Sequence, residues 1–71
     1  MQTFSLEGHP FITLDNLLKH EGWCESGGMA KQLIAAGQVE VDQKVETRKR
    51  CKITAGQIVS FNGNQIRVIE A

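Results

Sequence analysis

Residues 14–42 read LDNLLKHEGWCESGGMAKQLIAAGQVEVD, and within this stretch the spacing of apolar residues changes once. Up to Gly37 they recur three or four positions apart, as on one face of a helix, and beyond it they alternate with polar residues, as on a half-buried strand. Gly22 and Gly37 stand where helices commonly end. The stretch therefore predicts two helices followed by strands, which is an α+β fold.

Both helices have recognisable beginnings and apolar faces. Thr13 and Ser26 are residue types that cap helix N-termini, so the helices are expected to start just after them. The residues expected to be buried are Leu14, Leu17 and Leu18 on the first helix and Ala30, Leu33 and Ile34 on the second.

The strands are expected to form a small, mainly antiparallel sheet. A first hairpin turns near Asp42-Gln43, and a second turns at Asn62-Gly63, a pair typical of type I′ turns. The valines expected to face the core from the first hairpin are Val39, Val41 and Val45. Residues 48–53 are read as a further extended segment.

A chain of 71 residues is too short for two cores and is predicted to form one domain. The expected parts are an N-terminal extension without periodic pattern (1–11), a core (12–60) and a C-terminal hairpin strand (61–71). No apolar run approaches the roughly 20 residues that span a bilayer. No basic region followed by an apolar run opens the chain, so we expect a cytoplasmic protein with Cys24 and Cys51 as reduced thiols.

Little in the sequence indicates a metal-binding or catalytic site. His9, His20, Cys24 and Cys51 match no zinc spacing, and no nucleophile is paired with a base. We therefore expect no metal, no cofactor, no small-molecule substrate and no enzymatic activity. Cys24 precedes a helix start, where a thiol pKa can fall, but a buried structural cysteine is the favoured interpretation.

The charge is distributed unevenly along a chain whose formal net charge is zero. Residues 44–52, here called the basic segment, carry five basic side chains and one acid, Glu46, whereas the rest of the chain is net acidic. The five are Lys44, Arg48, Lys49, Arg50 and Lys52. Like charges repel, so their clustering indicates an anionic partner.

An extended conformation would order this segment. Arg48, Arg50 and Lys52 would then form an outer row about 6.6 Å apart, with Cys51 and Ile53 facing inward, and such a row can address successive phosphates. The alternative is that the charges only protect an exposed sheet edge from aggregation.

The beginning of the second helix is another candidate anion site. Gly27 and Gly28 occupy its first turn, where backbone N–H groups lack intrahelical partners and no Cβ hinders a phosphate. Lys31 lies one turn later, whereas Glu25 would repel an anion. The alternative is that the glycines only allow tight packing of the turn.

These motifs resemble the alpha-L RNA-binding motif, the domain named after the fourth protein of the small ribosomal subunit. The matching positions are Leu14, Asp15, Leu18, Ser26, Ala30, Leu33, Ile34, Gly37, Val39, Val41, Asp42, Gly56 and Ile58. The whole chain looks like the small stand-alone members of YbcJ type. The family's usual arginines are replaced here by Thr13 and Gly27, and Gln43 stands where a turn glycine is usual. The basic segment would supply positive charge in place of those arginines.

The resemblance implies a module that binds structured RNA, such as ribosomal or transfer RNA, at the start of the second helix and the adjoining strands. We expect a monomer. The predicted RNA-binding residues are Ser26, Gly27, Gly28, Lys31, Lys44, Arg48, Lys49, Arg50 and Lys52. The alternative is a protein–protein adaptor whose basic segment docks an acidic partner.

The aromatic residues offer a weaker signal. Trp23 could stack on an unpaired base, but a lone tryptophan more often covers the end of a small core. Phe11 and Phe61 are expected in the core.

Overall fold

The computed structural model describes all 71 residues, and it contains two helices and seven strands. In chain order these are β1 (Gln2–Ser5), β2 (Ile12–Thr13), α1 (Leu14–His20), α2 (Gly27–Ala35), β3 (Val39–Val41), β4 (Lys44–Val45), β5 (Lys52–Ile53), β6 (Ile58–Phe61) and β7 (Asn64–Ile69). Five strands form one sheet in the order β1-β7-β6-β3-β4, and β2 pairs with β5 in a second, two-stranded sheet.

The α+β class is right, but the predicted order of elements and the predicted mainly antiparallel sheet are each partly wrong. β1 and β2 precede the helices, so the helices do not come first. β1 also runs parallel to β7, from Gln2 opposite Ile66 to Ser5 opposite Ile69, so the five-stranded sheet is mixed. This pairing joins the two ends of the chain, which a local sequence pattern does not reveal.

The helix ends follow the prediction. Gly22 and Gly37 both have positive φ, +74° and +78°. At the end of α1 the Gly22 N–H donates to Lys19 O, and the Trp23 N–H donates to Leu18 O. This is a Schellman motif, which satisfies the last carbonyls of the helix. Neither helix is long and apolar enough to cross a membrane.

The apolar faces of both helices contribute to a core of 13 buried residues shared with the sheet. Leu33, predicted in the stripe of α2, is only half-buried at its margin. The core consists of Leu6, Leu14, Leu17, Leu18, Cys24, Ala30, Ile34, Val39, Val41, Ile53, Val59, Ile66 and Val68.

The first hairpin corrects one predicted core residue. Val45 is 58% exposed because the two-residue turn places it opposite Glu40, on the outward face. The same register places Lys44 opposite the buried Val41. Cross-strand partners lie on the same face of a sheet. On β4, Lys44 and not Val45 therefore lies on the face that Val41 directs toward the core.

Both predicted turns are present. Asn62 and Gly63 have φ of 51° and 82°, and they join β6 to β7 as the type I′ signal predicts. Asp42 and Gln43 also have positive φ, 51° and 70°.

Candidate nucleic-acid interface

The centre of the basic segment is a turn and not a strand. Cys51 N–H donates to Arg48 O at 3.2 Å, so Lys49 and Arg50 lie at the centre of a four-residue turn. Of residues 48–53, which were predicted to be extended, only Lys52 and Ile53 form a strand, β5. The predicted row of side chains along one strand is therefore wrong, although Ile53 does face the core.

The reason for the turn lies at the N-terminus of α1. Leu14 N–H donates to Cys51 O at 2.8 Å, and Asp15 N–H donates to Lys49 O at 3.2 Å. The first N–H groups of a helix have no intrahelical acceptor, so these carbonyls satisfy them. Thr13 occupies the N-cap position, but its side chain accepts no capping bond and its hydroxyl oxygen is buried without a partner. The basic segment itself caps α1.

Glu46 organises the side chains above this turn. Its Oε2 accepts from the backbone N–H of Arg48 at 2.9 Å and from Arg48 Nε at 3.0 Å, while Oε1 accepts from Arg48 Nη2 at 3.0 Å. These bonds lower the pKa of Glu46 to about 2 and raise that of Arg48. One of the five cations is therefore paired with a carboxylate.

The other four cations of the basic segment have no carboxylate within salt-bridge distance: Lys44, Lys49, Arg50 and Lys52. All four are exposed. Clustered charges without internal partners leave a local positive potential on a neutral protein.

Two shallow depressions collect most of these side chains. One, of about 450 Å³, is lined by Arg48, Arg50, Cys51 and Lys52. A second, of about 540 Å³, shares three of those residues and adds Lys44, together with the carboxylates of Asp42 and Glu46. Lys49 lines neither depression. The turn thus brings together residues that the sequence analysis had placed along a strand.

Lys52 makes one further contact. Its Nζ lies 4.9 Å from the centroid of the Phe11 ring, which is the geometry of a cation–π interaction. Phe11 is half-buried and stands outside the set of residues that pack against the core. Its prediction as a core residue is therefore wrong, because the strand β2 that follows it is paired with β5 and places the ring beside Lys52.

The start of α2 is built differently. Ser26 Oγ accepts from Met29 N–H at 3.1 Å, which confirms the predicted N-cap. A Cβ at Gly27 would meet no atom within 4 Å, and one at Gly28 would meet only Ser26 Oγ at 3.9 Å. Packing therefore does not demand glycine at either position, which removes the tight-turn explanation. Lys31 is exposed and forms no salt bridge.

The two groups of predicted residues form separate patches. The basic segment is bonded to the beginning of α1, whereas the start of α2 follows the end of that helix. α1 has seven residues, so its ends are about 10 Å apart. No residue among Ser26, Gly27, Gly28 and Lys31 lines either depression of the basic segment.

Neither cysteine is an activated thiol. Burial raises the pKa of Cys24, and burial together with the charge of Glu46 raises that of Cys51. Both are free thiols. Trp23 packs against the core and lies 6.1 Å from Phe61 between ring centroids, so its predicted role as a core cover is confirmed.

Sequence reasoning missed two contributors to this surface. Glu46 was counted only as a charge, although it is the sole acid among five cations and lies two residues before the arginine that it holds. Phe11 offered no signal, because its position beside Lys52 depends on the pairing of β2 with β5.

Comparison with known proteins places this surface in context. The family model described as "S4 domain" matches residues 4–69. YbcJ of Escherichia coli (strain K12), whose name gives it as a candidate RNA-binding protein, is 62% identical over 69 residues, covering 97% of this chain and 99% of that protein. An uncharacterized protein YbcJ of Shigella flexneri matches with the same identity and coverage.

A solved structure agrees with the architecture. The solution structure of Escherichia coli YbcJ, described as revealing an alfaL motif involved in RNA-binding, matches with a TM-score of 0.74 at 62% identity. The match covers 97% of this chain and 87% of the YbcJ chain. Two helices combined with a mixed sheet are therefore the alpha-L architecture.

Proposed function

Because this chain belongs to the S4 domain family, we propose that residues 1–71 act as a single RNA-binding domain. The E. coli relative is named as a candidate RNA-binding protein, and the motif of its solved structure is described as involved in RNA binding. The role is binding and not catalysis, and it requires no cofactor, metal ion or small-molecule substrate.

One observation carries the proposal. Four exposed cations of a single nine-residue segment, Lys44, Lys49, Arg50 and Lys52, have no carboxylate partner on a protein with no net charge. Phosphate groups supply the missing negative charge at close spacing, and the release of their counterions drives binding. Contacts are therefore mainly to phosphates, which set affinity and orientation, and base readout is limited.

The α2 start is the second contact of the same domain. Gly27 and Gly28 present backbone N–H groups that have no partner within the helix, and neither residue has a side chain of its own to hinder a phosphate. Ser26 holds this turn in place and Lys31 supplies a cation one turn later. A phosphate at this point would gain from both the N–H groups and the helix dipole.

Two patches separated by α1 favour an RNA with a defined shape over a flexible strand. We accordingly propose structured RNA, ribosomal or transfer RNA being the classes that the family resemblance implies. A monomer acting in the cytoplasm completes the proposal, and no observation favours the protein–protein adaptor.

A salt titration tests the electrostatic basis. With three or four phosphate contacts, affinity for a transfer RNA is expected to fall roughly 20- to 150-fold between 50 and 200 mM salt. Fluorescence anisotropy of labelled RNA measures it. An affinity that does not change with salt contradicts the proposal.

Ribonuclease treatment separates the proposed role from the adaptor. Partners recovered with the protein from cells are expected to disappear when RNA is digested before purification. Retention of the same acidic protein after complete digestion would favour the adaptor instead.

A further inference from the structure

The contact between Lys52 and Phe11 is not explained by stability of the core. Phe11 is outside the residues that pack on the core cluster, yet it directly precedes β2, which pairs with the strand that carries Lys52. Thr13 lies opposite Lys52 in that pairing, and Phe11 is two residues before Thr13, so the pairing brings the ring and the lysine together. A partly exposed aromatic ring thereby lies beside Lys52, which lines a depression together with Arg48 and Arg50.

The chemistry of this pair matches a nucleotide. An aromatic ring offers a face on which any base can stack, and a cation within reach of that face can take the phosphate of the same nucleotide. Lys52 has no carboxylate partner that would retain it. Arg50 lies in the same depression and can take the neighbouring phosphate.

Magnitudes decide whether a base can displace the lysine. An exposed cation–π contact favours the lysine on the ring over the lysine off the ring by only about 2- to 5-fold. Stacking of a base on an aromatic side chain strengthens binding by about 5- to 150-fold. The lysine ammonium can therefore leave the ring for a phosphate while a base takes its place.

We propose that Phe11 is a stacking site for one unpaired base, with Lys52 resting on the ring until RNA binds and then contacting that nucleotide's phosphate. This inference rests on the proposed RNA-binding function and adds the class of RNA: a structured RNA with an unpaired base beside a duplex. A base inside a perfect duplex offers no free face, so the site distinguishes bulged or looped RNA from a plain stem.

The experiment uses the full chain and two RNA probes. One is a hairpin whose stem carries a single unpaired adenosine, and the other is the same hairpin with a fully paired stem. The wild type is expected to bind the bulged hairpin at least about 5-fold more tightly. Phe11→Leu should bring this ratio close to one without changing affinity for the paired hairpin, whereas Phe11→Trp should preserve it.

Lys52→Gln is the matched variant for the other partner. It should lower the salt slope by about one phosphate contact on both hairpins and retain the preference for the bulge. With 2-aminopurine as the unpaired base, its fluorescence should be quenched by wild type and by Phe11→Trp. This signature does not depend on the stability of Phe11→Leu.

The outcomes separate the two hypotheses. Equal, salt-sensitive binding of both hairpins by the wild type overturns the stacking site and leaves the RNA-binding function standing. A bulge preference that survives in Phe11→Leu also overturns it, as does unchanged fluorescence on binding. If the wild type binds neither hairpin, both the stacking site and the proposed function fail.

Discussion

The beginnings of α1 and α2 pose the same physical problem and resolve it differently. At α1 the carbonyls of Cys51 and Lys49 accept from the first N–H groups, and the side chain of Thr13 contributes no bond. At α2 the hydroxyl of Ser26 accepts from Met29 N–H, and Gly27 and Gly28 remain without cover.

This difference assigns the two regions different tasks. The start of α1 is closed to any ligand because protein carbonyls occupy it, and its use is to hold the basic segment in a turn. Cations presented on this turn then provide the charge. The start of α2 is open and provides backbone donors. The N-terminus of a helix therefore indicates an anion site only if no acceptor within the protein already occupies its first N–H groups.

The largest expected effect comes from removing three unpaired cations of the basic segment. The triple variant Lys44→Ala/Arg50→Ala/Lys52→Ala should lose on the order of 100-fold or more in RNA affinity at 50 mM salt, because each phosphate contact is worth roughly tenfold there. Anisotropy titrations with the same transfer RNA measure the loss. The fold should persist, since all three side chains are exposed.

The control for that variant removes positive charge elsewhere. Arg67→Ala changes an exposed cation outside both depressions and should alter affinity by less than about 3-fold at 100 mM salt, where the Debye length is about 10 Å. Equal losses in both variants would mean that total charge, and not the basic segment, determines binding.

The open start of α2 is tested by adding a single methyl group. Gly27→Ala should weaken RNA binding about 3- to 10-fold, comparable to one phosphate contact, because the Cβ projects into the space that a phosphate would occupy. Stability should stay the same or rise by up to about 1 kcal/mol, since alanine is the better helix former. Chemical denaturation and anisotropy give the two quantities separately.

Gln32→Ala is the matched control on the same helix. Gln32 is exposed and lies away from the α2 start, so the substitution should leave RNA affinity unchanged. If Gly27→Ala binds as well as the wild type, the α2 start is not a phosphate contact.

The two N-cap positions should respond in opposite ways. Ser26→Ala is expected to cost about 1 kcal/mol of unfolding free energy, because it removes the acceptor for Met29 N–H. Thr13→Val should leave stability within about 0.5 kcal/mol of the wild type or increase it, because the hydroxyl that it removes is buried without a partner. Urea denaturation measures both, and equal losses would contradict the capping of α1 by the basic segment.

The smallest expected effect concerns the pH response of Glu46. Its pKa is lowered to about 2 from the ordinary value of 4.5, so the folded state is stabilised by this group above pH 4.5 and loses that stabilisation as the pH falls through about 2. The side-chain carboxyl carbon should accordingly titrate near pH 2 by NMR. In Arg48→Ala the midpoint should return toward 4.5, and a wild-type midpoint already near 4.5 would show that the pair does not form.

Much of the local structure could be read from the sequence. Three local features were predicted correctly: the C-terminal glycines of both helices, the Ser26 cap and the Asn62-Gly63 turn. Each of them depends only on residues that are neighbours in the chain. Val45 was misplaced because the alternation was continued through a two-residue turn, which reverses the face that each following residue takes.

The candidate surface was only partly predictable. The sequence marked the basic segment and the exposed glycines of α2, since composition and helix position are local properties. It did not show that Glu46 neutralises Arg48 or that Phe11 lies beside Lys52.

By itself, the sequence determined which residues form helices, where those helices end and which charges are concentrated in one segment. Tertiary structure alone decided the parallel pairing of β1 with β7 and the turn in the basic segment. Both depend on partners distant in the chain: a strand edge needs a neighbour from the other terminus, and unpaired helix N–H groups need carbonyls that only folding brings within reach.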